Sequence, residues 1–376
     1  MKKTLLFRVD GGRQWIGGLY YCKNILYSVA QNQDLLEKYR IHIYVSKENR
    51  EIFSEFEKQM RLSILPENKK LQNLLLLCKT LWPGTAYVYY VLSAKYDKLI
   101  GKKSIYWIPD FQYLHYPQYF TEEDKREKNG KYEVIAQSKG KLVLSSQDCL
   151  KDFLSLHPDC KIKCAVVPFV SYIEKELREI DTKIESDILK KYGLHKGNYL
   201  YIPNQFWQHK NHVVVLKAMK ELKHMGELEK FRFVFTGEML DDRNPSYIKE
   251  IKKYMEDPEI ADHILNLGFL GRREQLVIMK NAKMLIQPSL FEGWGTVLED
   301  AKVLDKLVVL SDIPVHREQM NENCMLFRPT DKRSLAETIL EMSKRTHEDH
   351  LEQGLANMKE RAFEYGKKLA SLLLHD

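Results

Sequence analysis

The chain has 376 residues, a length that allows two to three domains of roughly 100–200 residues each. Hydrophobic residues make up 44% and charged residues 30% of the sequence, and the mean hydropathy is −0.43. These values exclude a disordered chain, a collagen-like repeat and an integral membrane protein, and no stretch approaches the roughly 20 apolar residues of a membrane span.

The N-terminus and the cysteines bear on the cellular compartment. MKKTLLFRVD begins with a pair of lysines, but its apolar run ends at Arg8 and Asp10, short of the roughly 7–15 residues that a secretory signal needs. Cys160 and Cys164 have no second pair of cysteines to complete a zinc site. We therefore expect a cytoplasmic protein with reduced, structural thiols.

The net charge of +7 is unevenly distributed along the chain. Residues 1–168 contain 27 Lys+Arg and 18 Asp+Glu and hold the whole positive excess, whereas residues 169–376 contain 32 and 34. This asymmetry favours an anionic partner for the first half, such as nucleic acid, a membrane surface or an acidic substrate. The alternative is that these positive charges are scattered over a solvated surface.

Short β-branched runs alternate with amphipathic helical stretches in chain order. Strands are predicted at 4–10, 41–46, 104–110 and 141–146, and then at 199–204, 231–237, 264–270, 282–289 and 306–312. Between strands the apolar residues recur at helical spacing, as in 211–222. Alternation of this kind predicts parallel sheets that are covered by helices on both faces.

The same pattern predicts an α/β fold of two doubly wound, Rossmann-like domains that face each other across a cleft. The linker candidate is the run near Pro168 with the charged stretch that follows it to about residue 196. We therefore place the domains at 1–170 and 171–354. The helical pattern from about 355 to 376 is predicted to pack back on the first domain.

The most informative stretch, residues 288–318, reads as strand, loop, helix and strand. Gly293 and Gly295 flank the start of the helix, where bare backbone N–H groups and the helix dipole favour an anion. Glu292 and the pair Glu299–Asp300 lie close to these glycines, which suits a ligand with both phosphates and hydroxyls, such as a sugar nucleotide. The alternative is an ordinary helix start whose acids are favoured by the dipole.

This stretch resembles the signature loop of the retaining GT-B glycosyltransferases of family 4, also called glycosyltransferase group 1. In that family a glutamate, seven residues and a second glutamate follow a Pro-Ser strand end. Glu292 matches the first glutamate, which contacts the donor sugar, and Asp300 stands where the second holds the ribose diol. Glu299 is the alternative to Asp300. The resemblance also assigns donor binding to the loop residues Gly293, Trp294, Gly295 and Thr296.

The resemblance runs over most of the chain and includes a second block, after the first strand of the second half. In the family an arginine and a Lys-Asn pair hold the donor diphosphate there. Lys210 and Asn211 match the pair, and the resemblance gives Lys210 a catalytic role at the leaving group. Gln205 occupies the place of the usual arginine, so Lys210 would act nearly alone unless Arg13 or Arg272 contributes.

A third block resembles the strand and loop that pack the nucleotide base in the family. Gly268, Phe269 and Leu270 would form the wall of that pocket. The alternative for Phe269 is an ordinary core residue.

In the first half, Gly17 and Gly18 resemble the glycine pair that opens the first helix of the family, beneath the donor phosphate and the acceptor. His115 resembles the histidine that reaches the donor sugar, and we predict a catalytic role for it; the alternative is a structural histidine. Asp110 and Gln112 lie, like His115, at the end of the strand predicted at 104–110, and both are assigned to the acceptor side.

The sequence contains no Asp-x-Asp motif; Asp241 and Asp242 are only adjacent. Glycosyltransferases of the other large fold hold a divalent ion on the donor diphosphate with such a motif. We therefore predict an enzyme that requires no metal and no cofactor, in which Lys210 and helix N-termini stabilise the diphosphate.

The resemblance implies a glycosyltransferase that moves a sugar from a nucleotide-diphosphate donor to an acceptor hydroxyl with retention, in bacterial surface polysaccharide or glycolipid assembly. The donor would lie on the second domain and a glycan or lipid-linked glycan acceptor on the first. Two alternatives stay open. One is a sugar-nucleotide epimerase of the same fold, and the other is a non-catalytic subunit that binds a sugar nucleotide or polysaccharide.

The segment 71–84, LQNLLLLCKTLWPG, bears on where such an enzyme works. Its four consecutive leucines are too few to span a bilayer, and they favour either a buried helix or a helix in a membrane interface, with Trp82 at its end. Because lysines lie nearby, we expect peripheral binding to an anionic membrane surface at the inner face of the cell membrane. We expect no binding of nucleic acid.

Overall fold

The computed structural model describes residues 2–9, 16–91, 94–241 and 243–374. The chain divides into two compact units, one of Met1–Tyr172 with Lys359–Asp376 and one of Ile173–Met358. The predicted boundary at 170/171 lies two residues from the division between Tyr172 and Ile173. Each unit is an α/β structure built on its own parallel sheet.

The described residues of the first unit form a seven-stranded parallel sheet. Its strands are β1 (Lys3–Arg8), β2 (Tyr39–Val45), β3 (Arg61–Ile64), β4 (Thr85–Val91), β5 (Ser104–Ile108), β6 (Lys141–Leu144) and β7 (Lys163–Val166). Their order in space is β3-β2-β1-β4-β5-β6-β7. The helices are α1 (Ile16–Ala30), α2 (Gln33–Lys38), α3 (Arg50–Phe53), α4 (Lys69–Leu81), α5 (Asp97–Ile100), α6 (Gln112–His115), α7 (Glu122–Ala136) and α8 (Gln147–Leu156).

The described residues of the second unit form a six-stranded parallel sheet in the order β10-β9-β8-β11-β12-β13. Its strands are β8 (Leu200–Pro203), β9 (Phe233–Thr236), β10 (Ile264–Asn266), β11 (Met284–Gln287), β12 (Val308–Ser311) and β13 (Cys324–Phe327). Its helices are α9 (Glu174–Arg178), α10 (Thr182–Lys191), α11 (His212–His224), α12 (Pro245–Met255), α13 (Arg272–Asn281), α14 (Thr296–Val303), α15 (Pro314–Gln319) and α16 (Lys332–Ser343).

The central strands of the second sheet, β8, β9, β11 and β12, are buried at every residue. Strands of this kind must be covered by helices on both faces, which the alternating sequence supplies. Counted within the unit, the strand order is 3-2-1-4-5-6, the order of the dinucleotide-binding Rossmann fold. In such sheets the connections diverge between strands 1 and 4, here β8 and β11, and leave a crevice beyond their carboxyl ends.

The predicted α/β architecture is confirmed, and all nine predicted strands are present, mostly shortened where the chain turns into a loop. Four further strands, β3, β4, β7 and β13, were missed. The units divide within the run predicted as a linker near Pro168, but the predicted extension of the linker to about residue 196 is too long, because most of this charged stretch folds as α9 and α10 within the second unit.

The last helix is α17 (Leu351–Leu374), of which the residues from Lys359 onward group with the first unit. The Tyr39 hydroxyl donates to the Leu373 carbonyl at 3.1 Å. A Cβ at Gly366 would lie 2.5 Å from the carbonyl oxygen of Ser28, so glycine allows this close packing. The contacts of residues 359–374 with the first unit agree with the helix predicted from about 355. Among the described helices, none combines the length and apolarity needed to cross a bilayer.

Candidate active site

Two loops leave the carboxyl ends of β8 and β11, the neighbouring strands where the connections of the second sheet diverge. The Leu290 N–H donates to the His209 carbonyl at 2.7 Å and joins one loop to the other. Asn211, at a positive φ of 56°, donates its side-chain amide to the carbonyls of Pro288 at 3.0 Å and Pro329 at 2.8 Å. Asparagine tolerates this left-handed conformation better than most residues. The predicted donor ligand Asn211 therefore has a structural role in holding the loops together.

Lys210 and Glu292 meet between these two loops. The Lys210 ammonium lies 2.6 Å from Glu292 Oε1, and the side chains are 15% and 10% exposed. The Ser289 hydroxyl donates to the same carboxylate oxygen at 2.7 Å. Burial alone would raise the pKa of Glu292, but the attraction of Lys210, with the hydrogen bonds from Lys210 and Ser289, lowers it to about 2. The structure thus brings a cation and an ionised hydrogen-bond acceptor together at one point.

Gln205, which stands where the family has an arginine, is occupied by a backbone contact. Its side-chain oxygen accepts a hydrogen bond from the Glu238 N–H at 2.7 Å and so connects the ends of β8 and β9. Of the two arginines considered as replacements, Arg13 lies outside the described residues. Arg272 is described, and it pairs with Asp300.

Arg272 and Asp300 form a two-pronged ion pair, with the guanidinium nitrogens 2.6 and 2.7 Å from the two carboxylate oxygens. The Asp300 side chain is 2% exposed and that of Arg272 is 17% exposed. The guanidinium is therefore the more accessible group of this pair. Glu299 is fully buried and accepts hydrogen bonds from Lys302 and Gln319, both at 2.9 Å. Which of the two acids holds a ribose stays a prediction.

The start of α14 is tied to Gln319 of α15. The Gly295 N–H donates to the Gln319 side-chain oxygen at 3.0 Å, and the Gln319 amide donates to the Gly295 carbonyl at 2.8 Å. The expectation of a bare N–H at Gly295 is therefore wrong, because a side-chain oxygen already occupies that donor. The remaining predicted residues of the loop, Gly293, Trp294 and Thr296, are half-buried.

The predicted base-binding wall follows β10. Gly268 has a positive φ of 65°, and its carbonyl accepts a hydrogen bond from the Gly237 N–H at 2.8 Å. The Phe269 side chain is 58% exposed, and Leu270 is half-buried. The alternative interpretation of Phe269 as a core residue is thereby excluded, whereas its role as a wall stays a prediction.

In the first unit, α1 already begins at Ile16, so Gly17 and Gly18 lie in its first turn and not before it. Gly17 is exposed and Gly18 is buried. His115 is partly exposed, and its Nε2 lies 2.8 Å from a carboxylate oxygen of Asp152. The hydrogen bond to Asp152 outweighs partial burial and raises the pKa of His115. This contact belongs to the surface of the unit, and a catalytic role for His115 stays a prediction.

Asp110 and Gln112 form a local turn at the end of β5. The Asp110 carboxylate accepts a hydrogen bond from the Gln112 N–H at 3.0 Å. The Gln112 side chain is buried, and its amide nitrogen has no hydrogen-bond partner among the described residues. The assignment of both residues to an acceptor is untested by these contacts.

Three buried histidines, His209, His212 and His316, lie near Lys210. Burial lowers the pKa of His209 and of His212 to about 3 in each case, and it also lowers the pKa of His316. These rings are therefore neutral. In the sequence, the signal was their density: three histidines in the two segments that flank the predicted loops.

Among the described residues there is no group of three or more His, Cys, Asp or Glu side chains arranged to hold a metal ion. Two grooves of the second unit lie away from the loops. One, of about 590 Å³, is at the amino ends of β8 and β9 beside Tyr199 and Phe231; the other, of about 690 Å³, is beside Leu189 of α10. Neither groove contains a predicted site residue. The candidate site is therefore assigned from the chemistry of the two loops that follow β8 and β11, at the switch point where the connections of the sheet diverge.

Comparisons with known proteins bear on the fold and on the family of the second half of the chain. Residues 185–367 match the sequence model of the family described as "Glycosyl transferases group 1". The O-antigen chain mannosyltransferase RfbU of Salmonella typhimurium is 24% identical over 155 residues, a match that spans 41% of this chain and 40% of that relative.

Solved structures match over nearly the full length of both chains. A glycosyltransferase from Rickettsia africae has a TM-score of 0.68 at 15% identity, and covers 100% of this chain and 99% of its own. HepE of Anabaena, solved in complex with UDP and glucose, has a TM-score of 0.67 at 14% identity, with 100% of both chains covered. These likenesses confirm the prediction of a GT-B fold, and the second half of the chain matches the glycosyltransferase group 1 family by sequence.

Proposed function

We propose that this protein is a retaining glycosyltransferase that moves a sugar from a nucleotide-diphosphate donor to an acceptor hydroxyl. The observation that carries the proposal is the Lys210–Glu292 pair, which lies at the switch point of a Rossmann-type sheet and within the segment that matches the group 1 family. HepE binds UDP and glucose in its crystal structure, and RfbU is an O-antigen chain mannosyltransferase. These names support a sugar-nucleotide donor and a role in surface polysaccharide or glycolipid assembly.

The charges of the pair fit the two halves of such a donor. Breaking the anomeric C–O bond leaves an oxocarbenium-like sugar and an anionic diphosphate. Lys210 would stabilise the developing negative charge on the diphosphate. A preorganised hydrogen-bond donor in such a position lowers the activation barrier by about 2.7–4 kcal/mol. Glu292 stays ionised across the physiological range and would accept hydrogen bonds from the sugar hydroxyls. A single ion pair thus supplies one group for each end of the breaking bond.

Retention requires that the acceptor approach on the face from which the diphosphate departs. In this proposal the bond from the acceptor oxygen to the anomeric carbon forms as the bond to the diphosphate breaks. The proton of the acceptor hydroxyl passes to an oxygen of the departing diphosphate. No nucleophile of the protein and no metal ion takes part.

Incubation of the protein with UDP-glucose, GDP-mannose and dTDP-glucose tests this function. We expect slow hydrolysis of one donor in the absence of acceptor, with the released sugar initially in the anomeric configuration of the donor by NMR. Glu292→Gln, which keeps the shape of the side chain and removes its charge, should hydrolyse at least tenfold more slowly. Isomerisation of the sugar nucleotide would show an epimerase, and tight binding without turnover would show a binding subunit; either result overturns the proposal.

We also propose that the first unit binds an anionic membrane surface through α4. The apolar residues of this helix are not all buried: Leu71, Leu74 and Leu81 are 54%, 57% and 51% exposed, and Trp82, just beyond the helix, is 69% exposed. Leu74 lies three residues after Leu71 and seven before Leu81, and such spacings place side chains on one face of a helix. An exposed apolar stripe of this kind marks an interaction surface.

The lysines around the stripe favour lipid over a protein partner. Lys70 and Lys79 are exposed on α4, one near each end. Lysines can extend their charged ends toward lipid headgroups while apolar residues enter the interface, and each contributes roughly 1 kcal/mol near anionic lipid. The positive excess of residues 1–168 adds to this attraction. The buried-helix alternative is thus excluded for one face of α4, and the membrane surface is the occupant that fits both the apolar and the basic residues.

Co-sedimentation with vesicles containing 30% anionic lipid tests this surface. We expect binding at 50 mM salt that weakens as salt is raised, since exposed charges are screened within about a Debye length. Leu74→Ser with Leu81→Ser should abolish binding, whereas Leu154→Ser, a single exposed leucine on α8, should not. Equal binding by all variants, or none by the wild type, would overturn the proposal.

A further inference from the structure

His316 is a fully buried residue of α15, the short helix that follows β12. Its Nδ1 lies 2.9 Å from the Ser311 carbonyl oxygen and 3.1 Å from the Ser311 hydroxyl. A carbonyl oxygen can only accept a hydrogen bond, so Nδ1 must carry the proton. The ring is thus fixed in one tautomer by the last residue of β12.

A chain of hydrogen bonds leads from this ring to the candidate active site. The Ser311 hydroxyl donates to the Ser289 carbonyl and so joins the ends of β12 and β11. The Ser289 hydroxyl then donates to Glu292 at 2.7 Å, the carboxylate that pairs with Lys210. His316 is therefore connected to Glu292 through two buried serines, and no ligand is needed to complete the chain.

The charge state of the ring agrees with a positioning role. Burial lowers the pKa of His316, and the opposing charges of Glu292 and Lys210 act on it in opposite directions. The ring is neutral, so with the proton on Nδ1 its Nε2 is an acceptor. Nε2 is buried and has no partner among the described residues. A phenylalanine would fill the same space without an unpaired nitrogen, so packing alone does not account for a histidine here.

We infer that His316 is a positioning residue for donor-sugar recognition: it holds Ser311 against Ser289 and thereby fixes the carboxylate of Glu292. The inference rests on the proposed function and names a residue that serves only one part of the donor. Because Glu292 faces the sugar in that proposal, loss of His316 should weaken recognition of the sugar and leave recognition of the nucleotide intact. Positioning matters at this scale, since a displacement of about 1 Å at a reacting group can reduce turnover about a hundredfold.

The test compares variants with the donor that the wild type hydrolyses. His316→Phe keeps an aromatic ring and removes the Nδ1 donor, whereas His316→Asn keeps an amide donor near the position of Nδ1. We expect His316→Phe to lower kcat/KM at least tenfold, and His316→Asn to recover a substantial part of that loss. The dissociation constant of UDP, or of whichever nucleoside diphosphate corresponds to the hydrolysed donor, should stay within about twofold in both variants by calorimetry.

A second histidine provides a matched control. His263 also has its Nδ1 within hydrogen-bond distance of a backbone carbonyl, that of Phe231 at 3.0 Å, but lies at the amino ends of the strands. His263→Phe should change neither kcat/KM nor nucleotide affinity. Ser311→Ala breaks the same chain with the loss of a single oxygen atom, and it carries the test if His316→Phe does not fold.

The outcomes separate this inference from the proposed function. A wild type that neither hydrolyses nor binds any sugar nucleotide overturns the proposed function and the inference with it. If the wild type is active, unchanged kcat/KM in both His316→Phe and Ser311→Ala overturns the inference alone. Parallel losses of donor turnover and nucleotide affinity would show that His316 only maintains the fold, and would overturn it as well.

Discussion

The two units share a Rossmann-type strand order, but they place charged residues differently near the carboxyl ends of their strands. In the second unit, Lys210–Glu292 and Arg272–Asp300 are buried or nearly buried pairs that join separate elements. In the first unit, the carboxyl end of β5 leads to His115, whose pair with Asp152 is partly exposed. The basic residues of α4 are exposed beside an apolar stripe.

This difference fits the partners that are proposed for the two surfaces. Taking charges out of water is costly, and a buried pair needs good geometry and further hydrogen bonds to compensate that cost. A site that must hold a polyanion next to a neutral sugar benefits from such fixed charges, because they need no rearrangement during the reaction. Exposed lysines contribute little to stability, but they are free to adapt to a fluid, anionic surface. The four predictions below test this contrast, in order of decreasing expected effect.

The largest effect is expected at the buried pair of the candidate active site. Lys210→Ala and Glu292→Ala should each lower kcat at saturating donor by about two to three orders of magnitude, the range found when one preorganised donor is removed. The control is Arg317→Ala, which removes the exposed Arg317 of α15 from its pair with the partly exposed Asp312 and should leave kcat within about twofold. Activity within threefold of wild type for either site variant would remove that residue from the mechanism.

The second effect concerns stability. Arg272→Met leaves the carboxylate of Asp300 buried without its cation, and such a change costs about 3–5 kcal/mol in the free energy of unfolding. Arg272→Met with Asp300→Leu should regain most of this loss, since both charges are then absent. The adjacent Arg273→Met is the control, because its pair with Glu179 is about half exposed. Urea unfolding of the four proteins measures these differences, and equal losses for Arg272→Met and Arg273→Met would contradict the contrast between buried and exposed pairs.

A smaller effect is expected at the partly exposed His115–Asp152 pair of the first unit. The raised pKa of His115 means that its pairing with Asp152 stabilises the fold fully below the unfolded pKa of about 6.5, and that this contribution disappears as pH rises through the folded pKa. Asp152→Asn should lower the pKa of His115 in an NMR titration. The loss of stability at pH 5.5 should stay within the roughly 0.2–1 kcal/mol of exposed pairs. An unchanged titration would show that another group raises the pKa.

The smallest effect is an expected absence of change. If Lys210 and the backbone N–H groups stabilise the leaving diphosphate, donor hydrolysis should be the same in excess EDTA as in buffer alone. Manganese or magnesium added afterwards should not raise it. A loss of activity in EDTA that either ion restores would contradict the proposed electrostatics of the second unit.

Much of the fold could be predicted from local pattern. The central strands of the second sheet are short, continuous apolar runs, and their position between amphipathic helices leaves little choice but a covered parallel sheet. Two of the four missed strands lack that pattern: β3 is RLSI, with no residue buried, and β7 is KCAV, which is partly buried at most. Their strand conformation depends on pairing with a neighbour that the local sequence does not reveal.

Only part of the candidate site could be predicted, namely the residues that a short-range spacing identifies. Lys210 and Glu292 were selected through a spacing that the resemblance supplies, and the fold brings them within 2.6 Å of each other. The use of Asn211 and Gly295 as structural contacts could not be predicted, because their partners Pro329 and Gln319 lie far away in sequence.

Local sequence was enough to predict the alternation of strands and helices, the two-domain α/β class, the uneven charge and the acidic loop that resembles a glycosyltransferase motif. All of these follow from composition and short-range spacing. The tertiary structure decided which charges are paired, which carboxylate is buried behind an arginine, and that the apolar face of α4 is exposed. It also connected His316 to Glu292 across two strands. Such properties depend on the distances between side chains and on their removal from water, and both arise only when residues distant in sequence are packed together.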